Sequence, residues 1–110
     1  MTADEDAASP TPDPEAGASP PVVTQIVTIA NKRGLHARAA AKFATMAERF
    51  NASVDVHRDG QMVSARSIMG LMMLGAGLGA TIELRAQGWD SREALDALAA
   101  LVEAGFDESG

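Results

Sequence analysis

The stretch that decides the fold runs Ser53-Val-Asp-Val-His-Arg-Asp59-Gly60-Gln-Met-Val-Ser-Ala-Arg66-Ser67-Ile-Met-Gly-Leu-Met-Met-Leu74. Its first five residues alternate polar and apolar, the pattern of a strand with one buried face. Asp59-Gly60 is a strong signal for a two-residue hairpin turn, which needs residues that tolerate positive φ. Gln61–Arg66 then reads as the returning strand. Ser67, a residue type favoured at helix starts, opens a short helical segment over Ile68–Leu74.

Working outward from this unit, Thr24–Ala30 is rich in β-branched residues and ends at Asn31, with Gly34 close behind. It is expected to form a first strand followed by a turn. Ala37–Phe50 has helical periodicity, with Ala40, Phe43, Ala47 and Phe50 on one arc assigned to the core. Arg38, Lys42 and Arg49 fall on a second arc roughly 130° away, with Thr45 beside them. Asn51 is expected as a left-handed cap where this helix stops. On the other side, the run Gly75-Ala-Gly-Leu-Gly79 leaves a helix and enters a strand, so it reads as a turn rather than a phosphate-cradling loop. Ala80–Ala86 alternates again as a fourth strand. Asp90, with Glu93 three residues on, has the spacing of a helix-start cap, followed by the apolar stripe Leu95, Leu98, Leu101 and Val102. Trp89 is expected to pack near that last helix, and His57 is an exposed strand residue without an assigned role. The element order is β-α-β-β-α-β-α. It predicts an α+β fold in which helices cover one face of a four-stranded, mainly antiparallel sheet.

Composition narrows the chemistry. The chain has 110 residues, a formal net charge of -6, no cysteine and only two histidines, His36 and His57. Disulfides, thiolate metal sites and cysteine nucleophiles are excluded, and no metal centre or cofactor is expected. The acidic balance and four aromatic residues argue against a nucleic-acid partner. Residues 1–23 hold all five prolines and five acids but no Lys or Arg, so they are expected to be a disordered acidic extension. The domain is residues 24–110, nearly neutral with nine basic and ten acidic residues. The extension lacks the basic start and apolar core of a secretory signal, and Ile68–Ile82 is too short and glycine-rich to span a bilayer. A cytoplasmic, monomeric domain without membrane insertion is expected.

The segment carrying most chemical information is Gly34-Leu-His36-Ala-Arg38-Ala-Ala-Ala41. It places a histidine where a turn meets a helix, with an arginine two residues later. The first helical turn has backbone N–H groups without intrahelical partners and a partly positive dipole end, so it favours an anion. That field disfavours a protonated imidazole, and Arg38 can pair with phosphate oxygens. A histidine that accepts a phosphoryl group and passes it on fits this arrangement. So does a simple capping histidine beside a solvated basic face, and spacing alone does not separate the two.

Gly34-Leu-His36-Ala-Arg38-Ala-Ala resembles the active-site segment of the HPr family, the histidine-containing phosphocarriers of the bacterial phosphoenolpyruvate-dependent phosphotransferase system, including its nitrogen-type branch. Ser67-Ile-Met-Gly-Leu-Met-Met-Leu-Gly75 resembles the family's second signature, around its regulatory serine. The resemblance covers about Thr24–Phe106 and implies an HPr-like open-faced β-sandwich with three helices on one face. It also implies that His36 accepts a phosphoryl group through Nδ1 and that Arg38 screens its charge. Enzyme I would be the donor, and an enzyme IIA-type protein the acceptor. The chain would then be one component of a transfer sequence rather than an independent catalyst. A helix terminus stabilises an anion by only ~0.3–2 kcal/mol, enough to steady a phosphohistidine without trapping it.

Ser67 can serve as helix cap and, by resemblance, as the target of HPr kinase/phosphorylase; a phosphate there would oppose docking beside Ile68, Met69 and Met72. One or two of the methionines, Met69 and Met72 foremost, are expected on the surface next to an exposed His36. Lys42 and Arg49 would join Arg38 in a basic rim for acidic partners. Many family members carry proline directly after the arginine, where this chain has Ala39, and the acidic extension has no counterpart role. Whether the chain belongs to the sugar-import or nitrogen-type branch is not decided by these segments. A regulatory module acting by docking alone is the alternative; a hydrolase lacks a nearby nucleophile.

Overall fold

The computed structural model describes residues 21–108. Asp59 and Gly60 have φ values of 50° and 80°, the paired positive values of a hairpin turn that matches strand twist. They join β2 (Ser53–Arg58) to β3 (Gln61–Ser64), with Val56 opposite Val63. β1 (Val22–Thr28) and β4 (Thr81–Gln87) pair antiparallel through Ile26 and Glu83, and β4 pairs antiparallel with β2 through Val56 and Leu84. The sheet order is β1-β4-β2-β3. Between the strands run α1 (Ala37–Ala47), α2 (Ile68–Met73) and α3 (Ser91–Glu103), followed by a 3-10 turn at Gly105–Asp107.

Alternation along each strand sends Val27, Val54, Val56, Ile82, Leu84 and Ala86 to the helical side. There they meet Ala40, Phe43 and Ala47 of α1, Leu71 of α2, and Leu95, Leu98 and Val102 of α3, all buried. Each fully buried large apolar side chain contributes roughly 1.5–3 kcal/mol of transfer free energy. Thr24, Ile26, Arg85 and Met62 remain on the opposite, open face. The architecture is the expected open-faced sandwich.

Several local expectations change. β1 begins at Val22, paired with Gln87, so Val22 and Val23 belong to the sheet; the rest of the expected extension, residues 1–20, lies outside the described residues. β3 stops at Ser64 because the chain turns there: the Ser67 N–H donates to Ser64 O at 3.0 Å, and the Arg66 N–H donates to the Ser64 hydroxyl oxygen at 3.1 Å.

α1 ends at Ala47, leaving Phe50 half-buried, and Asn51 is not left-handed. Instead, the N–H groups of Asn51 and Ala52 donate to the two carboxylate oxygens of Asp90, each at 2.8 Å. The same contact explains why Asp90 occupies the N-cap position of α3 without making a side-chain cap bond. Its carboxylate is directed at the exit of α1. Trp89 is 79% exposed rather than packed on α3, since the Gly88–Asp90 turn faces it outward while Asp90 faces in.

Candidate functional site

The loop between β1 and α1 is shaped by two tight contacts. Gly34 has a φ of 66°, and a Cβ there would stand 2.4 Å from Ala76 O. The next residue, Leu35, donates its N–H to that oxygen at 3.0 Å. The loop before α1 therefore rests against the loop after α2. At the other end of α2, Arg66 donates to Phe50 O at 2.7 Å, beyond the C-terminus of α1. The two helices thus run antiparallel: His36 sits beside the exit of α2, and Ser67 lies at its far end.

His36 is the N-cap residue of α1 and makes no side-chain cap bond. The first helical bond, from the Ala40 N–H to His36 O at 2.8 Å, leaves the N–H groups of Ala37, Arg38 and Ala39 ahead of the ladder. An acid in this first turn would stabilise the helix, yet it holds none, and Arg38 stands there exposed. A cation at the positive end of a helix is locally unfavourable. An anion bound from outside would relieve both features at once.

The imidazole of His36 is not open as expected. Its side chain is only 15% exposed because Nε2 is hydrogen-bonded to Glu108 Oε2. Asn31, itself buried, donates from Nδ2 to Gly34 O and to Glu108 Oε1, both at 2.9 Å. One amide therefore ties the turn before His36 to the carboxylate against its ring. The Asn31 hydrogen bond, then the His36 bond, holds the Glu108 carboxyl below its usual range, with burial acting in the opposite direction. An ionised carboxylate only accepts, so the Nε2 it contacts carries hydrogen. In the neutral ring this leaves the Nδ1 lone pair free.

Glu108 reaches this position because Phe106, fully buried with a φ of 57°, anchors the turn after α3. Lys42 Nζ donates to Phe106 O at 2.7 Å and fastens the same segment to α1. Nothing in the sequence around Glu108 or Asn31 marks either as a partner in the His36 site. Gly105-Phe106 after the last helix could have signalled a chain reversal with a buried aromatic, but nothing local indicates its destination.

Ser67 caps α2, its hydroxyl oxygen accepting from the Gly70 N–H at 3.0 Å. Arg58 Nη1 donates to Leu74 O at 2.8 Å and satisfies the opposite end. α2 has only six residues, and Leu71 alone of them is buried. Ile68, Met69, Met72 and Met73 are all exposed, so none of these three methionines belongs to the core. Arg38 in the first turn of α1 and Arg49 just past its C-terminus are exposed, and Lys42 and Thr45 lie between them. His57 is on the open sheet face opposite Glu83 and Met62, away from this region. Among the described residues no cluster of three or more His, Asp or Glu could hold a metal ion, and no helix is long and apolar enough to cross a membrane.

The fold agrees with that of known proteins. A family model described as the PTS HPr component phosphorylation site matches residues 23–104. Phosphocarrier protein HPr of Cupriavidus necator is 52% identical over 81 residues, covering 74% of this chain and 91% of the relative. Phosphocarrier protein NPr of Shewanella violacea is 51% identical over 83 residues, covering 76% and 91%. Among solved structures, HPr-C-His from Thermoanaerobacter tengcongensis superposes with a TM-score of 0.76 at 42% identity, over 80% of this chain and 99% of that one. A crystal structure of Bacillus subtilis Crh, described as a domain-swapped dimer, gives 0.62 at 47% identity, over 76% and 95%.

Proposed function

The chain belongs to the HPr phosphocarrier family of the phosphotransferase system, and from that premise we propose that His36 is its phosphoryl acceptor, loaded by phospho-enzyme I and discharged to an enzyme IIA-type protein. The observation that carries this reading is the imidazole at the open N-terminus of α1, its Nε2 engaged by Glu108 and Nδ1 left as the free nucleophile. In the forward step the Nδ1 lone pair forms a bond to phosphorus while the bond from phosphorus to the donor breaks. The phosphoryl oxygens then face the free N–H groups of the first turn and the Arg38 guanidinium. This step needs no general base, because a free imidazole lone pair is already the nucleophile. The chain works as a relay component and not as an independent catalyst.

Ile68, Met69 and Met72 form the apolar part of the docking surface, with Met73 beside them, and flexible thioethers suit successive partners. Arg38, Lys42 and Arg49 form its basic part. A phosphate placed on Ser67 by an HPr kinase/phosphorylase would add ~-1.5 to -2 charge beside Ile68 and weaken apolar docking. The domain acts as a monomer in the cytoplasm. The shielding of His36 favours a second reading, in which docking alone is the function and His36 stays unmodified.

Incubation with a cognate enzyme I and phosphoenolpyruvate tests the carrier role. Acid-labile phosphate should appear on the protein and be abolished by His36→Ala. Failure to load, with regulatory binding retained by His36→Ala, would establish the docking reading instead.

A further inference from the structure

A groove of about 360 Å³ runs between α1 and α3, floored by Ala41, Met46 and Leu101 and edged by Arg38, Lys42 and Arg49. Among the described residues neither Arg38 nor Arg49 has an ion-pair partner. Five of the chain's nine basic residues lie between positions 32 and 49, against the single acid Glu48. This surface is thus an unneutralised cationic groove with an apolar floor. The chain itself carries the complementary segment: positions 1–21 hold Asp4, Glu5, Asp6, Asp13 and Glu15 and no Lys or Arg. We propose that this N-terminal acidic segment occupies the groove of its own domain and competes there with acidic partner surfaces.

Geometry allows it. Val22 and Ser53 both pair with Gln87, so they stand two strand spacings apart, about 10 Å. Arg49 is four residues before Ser53, at most ~14 Å away. The segment therefore leaves the sheet within about 24 Å of the nearest groove cation. Glu15 lies seven chain steps before Val22, a reach of at most ~25 Å, which brings Glu15 to Arg49. The groove continues from Arg49, two residues past the end of α1, to Arg38 in its first turn, about 14 Å of helix plus at most ~7 Å of chain. The stretch from Asp13 back to Asp4–Asp6 covers that length with slack, even in an extended proline-rich form of ~3.1 Å per residue.

A tether of this size gives effective concentrations of about 1 mM. An electrostatic contact with an intrinsic constant of ~0.1–1 mM would then be occupied about 50–90% of the time, leaving the groove free for partners in the remainder. The contact itself does not depend on phosphoryl transfer. Only its consequence for loading rests on the carrier reading.

The chain has no cysteine, so Ser9→Cys in the full chain carries a nitroxide at one position. The expected result is paramagnetic broadening of the Arg38, Lys42, Thr45 and Arg49 amide signals at low salt. It should vanish near 1 M salt, where the Debye length is ~3 Å. It should also vanish when Asp4→Asn, Glu5→Gln, Asp6→Asn, Asp13→Asn and Glu15→Gln are combined. Absence of broadening at α1 overturns the proposal. So does broadening that arises only between a nitroxide-labelled and a separate isotope-labelled molecule, which would assign the groove to a second copy. With enzyme I and phosphoenolpyruvate, the neutralised chain should load about two- to tenfold faster at low salt and subsaturating enzyme I, matching the released fraction. Equal loading rates alongside clear broadening would refute the competition while leaving the carrier role intact.

Discussion

Replacing Gly34 by Ala tests whether the loop bearing His36 is held by backbone contact with the exit of α2. Two separate costs follow from the structure. The φ of 66° puts an L side chain in the left-handed region, at about 1–2 kcal/mol. The new Cβ would also stand 2.4 Å from Ala76 O and 2.8 Å from Gly77 Cα, both backbone atoms that no rotamer change relieves. Moving them apart strains or breaks the Leu35–Ala76 hydrogen bond, and a buried group left unpaired costs ~1–3 kcal/mol. The sum is about 2–5 kcal/mol. A domain of this size has a total stability of ~4–13 kcal/mol.

Gly79→Ala supplies the control. Its φ is 86°, but nothing lies within 4 Å of the built Cβ, so only the conformational cost of about 1–2 kcal/mol applies. Urea unfolding followed by circular dichroism should show both variants destabilised. The Gly34→Ala midpoint should fall about 0.7–3 M further, for slopes of ~1–1.5 kcal/mol/M. Equal midpoints for the two variants would refute the close approach as the reason for glycine at 34. If Gly34→Ala still folds, it should load phosphate more slowly, because His36 follows two residues later on the displaced loop.

Asp90→Ala removes the acceptor of two backbone N–H groups at the exit of α1 and should cost about 3–5 kcal/mol; Asp90→Asn, which keeps one acceptor oxygen, should fall between it and the parent in chemical denaturation. Phe106→Ala should cost ~3–5 kcal/mol for an emptied core position. It should also free Glu108, seen as a shift of the His36 ring proton resonances even where the domain stays folded. Glu108→Gln tests the carboxylate against the ring. A native pKa held below its usual range means the ionised form stabilises the fold, a contribution present above about pH 4 and lost as pH falls through the native value. The stability difference between parent and Glu108→Gln should therefore be largest near neutrality and disappear in acid; a difference independent of pH would show that Glu108 acts by packing alone.

The hairpin, the seven-element order and the division of the strands into inner and outer faces were legible in the sequence, because each rests on neighbours within a few residues. Asp59-Gly60 needs only its own backbone to turn the chain, and Ser67 needs only Gly70 to cap α2. His36 and Arg38 were legible for the same reason, as a local motif on a helix start. Met69 and Met72 were legible as surface residues; the exposure of Met73 beside them was not, since a six-residue helix shows the core so little surface that only Leu71 is buried. Asp90 stands at the helix start that its sequence neighbours indicate, but its carboxylate's partners are Asn51 and Ala52, 39 and 38 positions away. Glu108 meets His36 across 72 positions. Local propensity chooses the elements and places His36 at a helix start. Which carboxylate stands against its ring depends on where the turn after α3 returns the chain, and that was decided only when Phe106 found its place in the shared core.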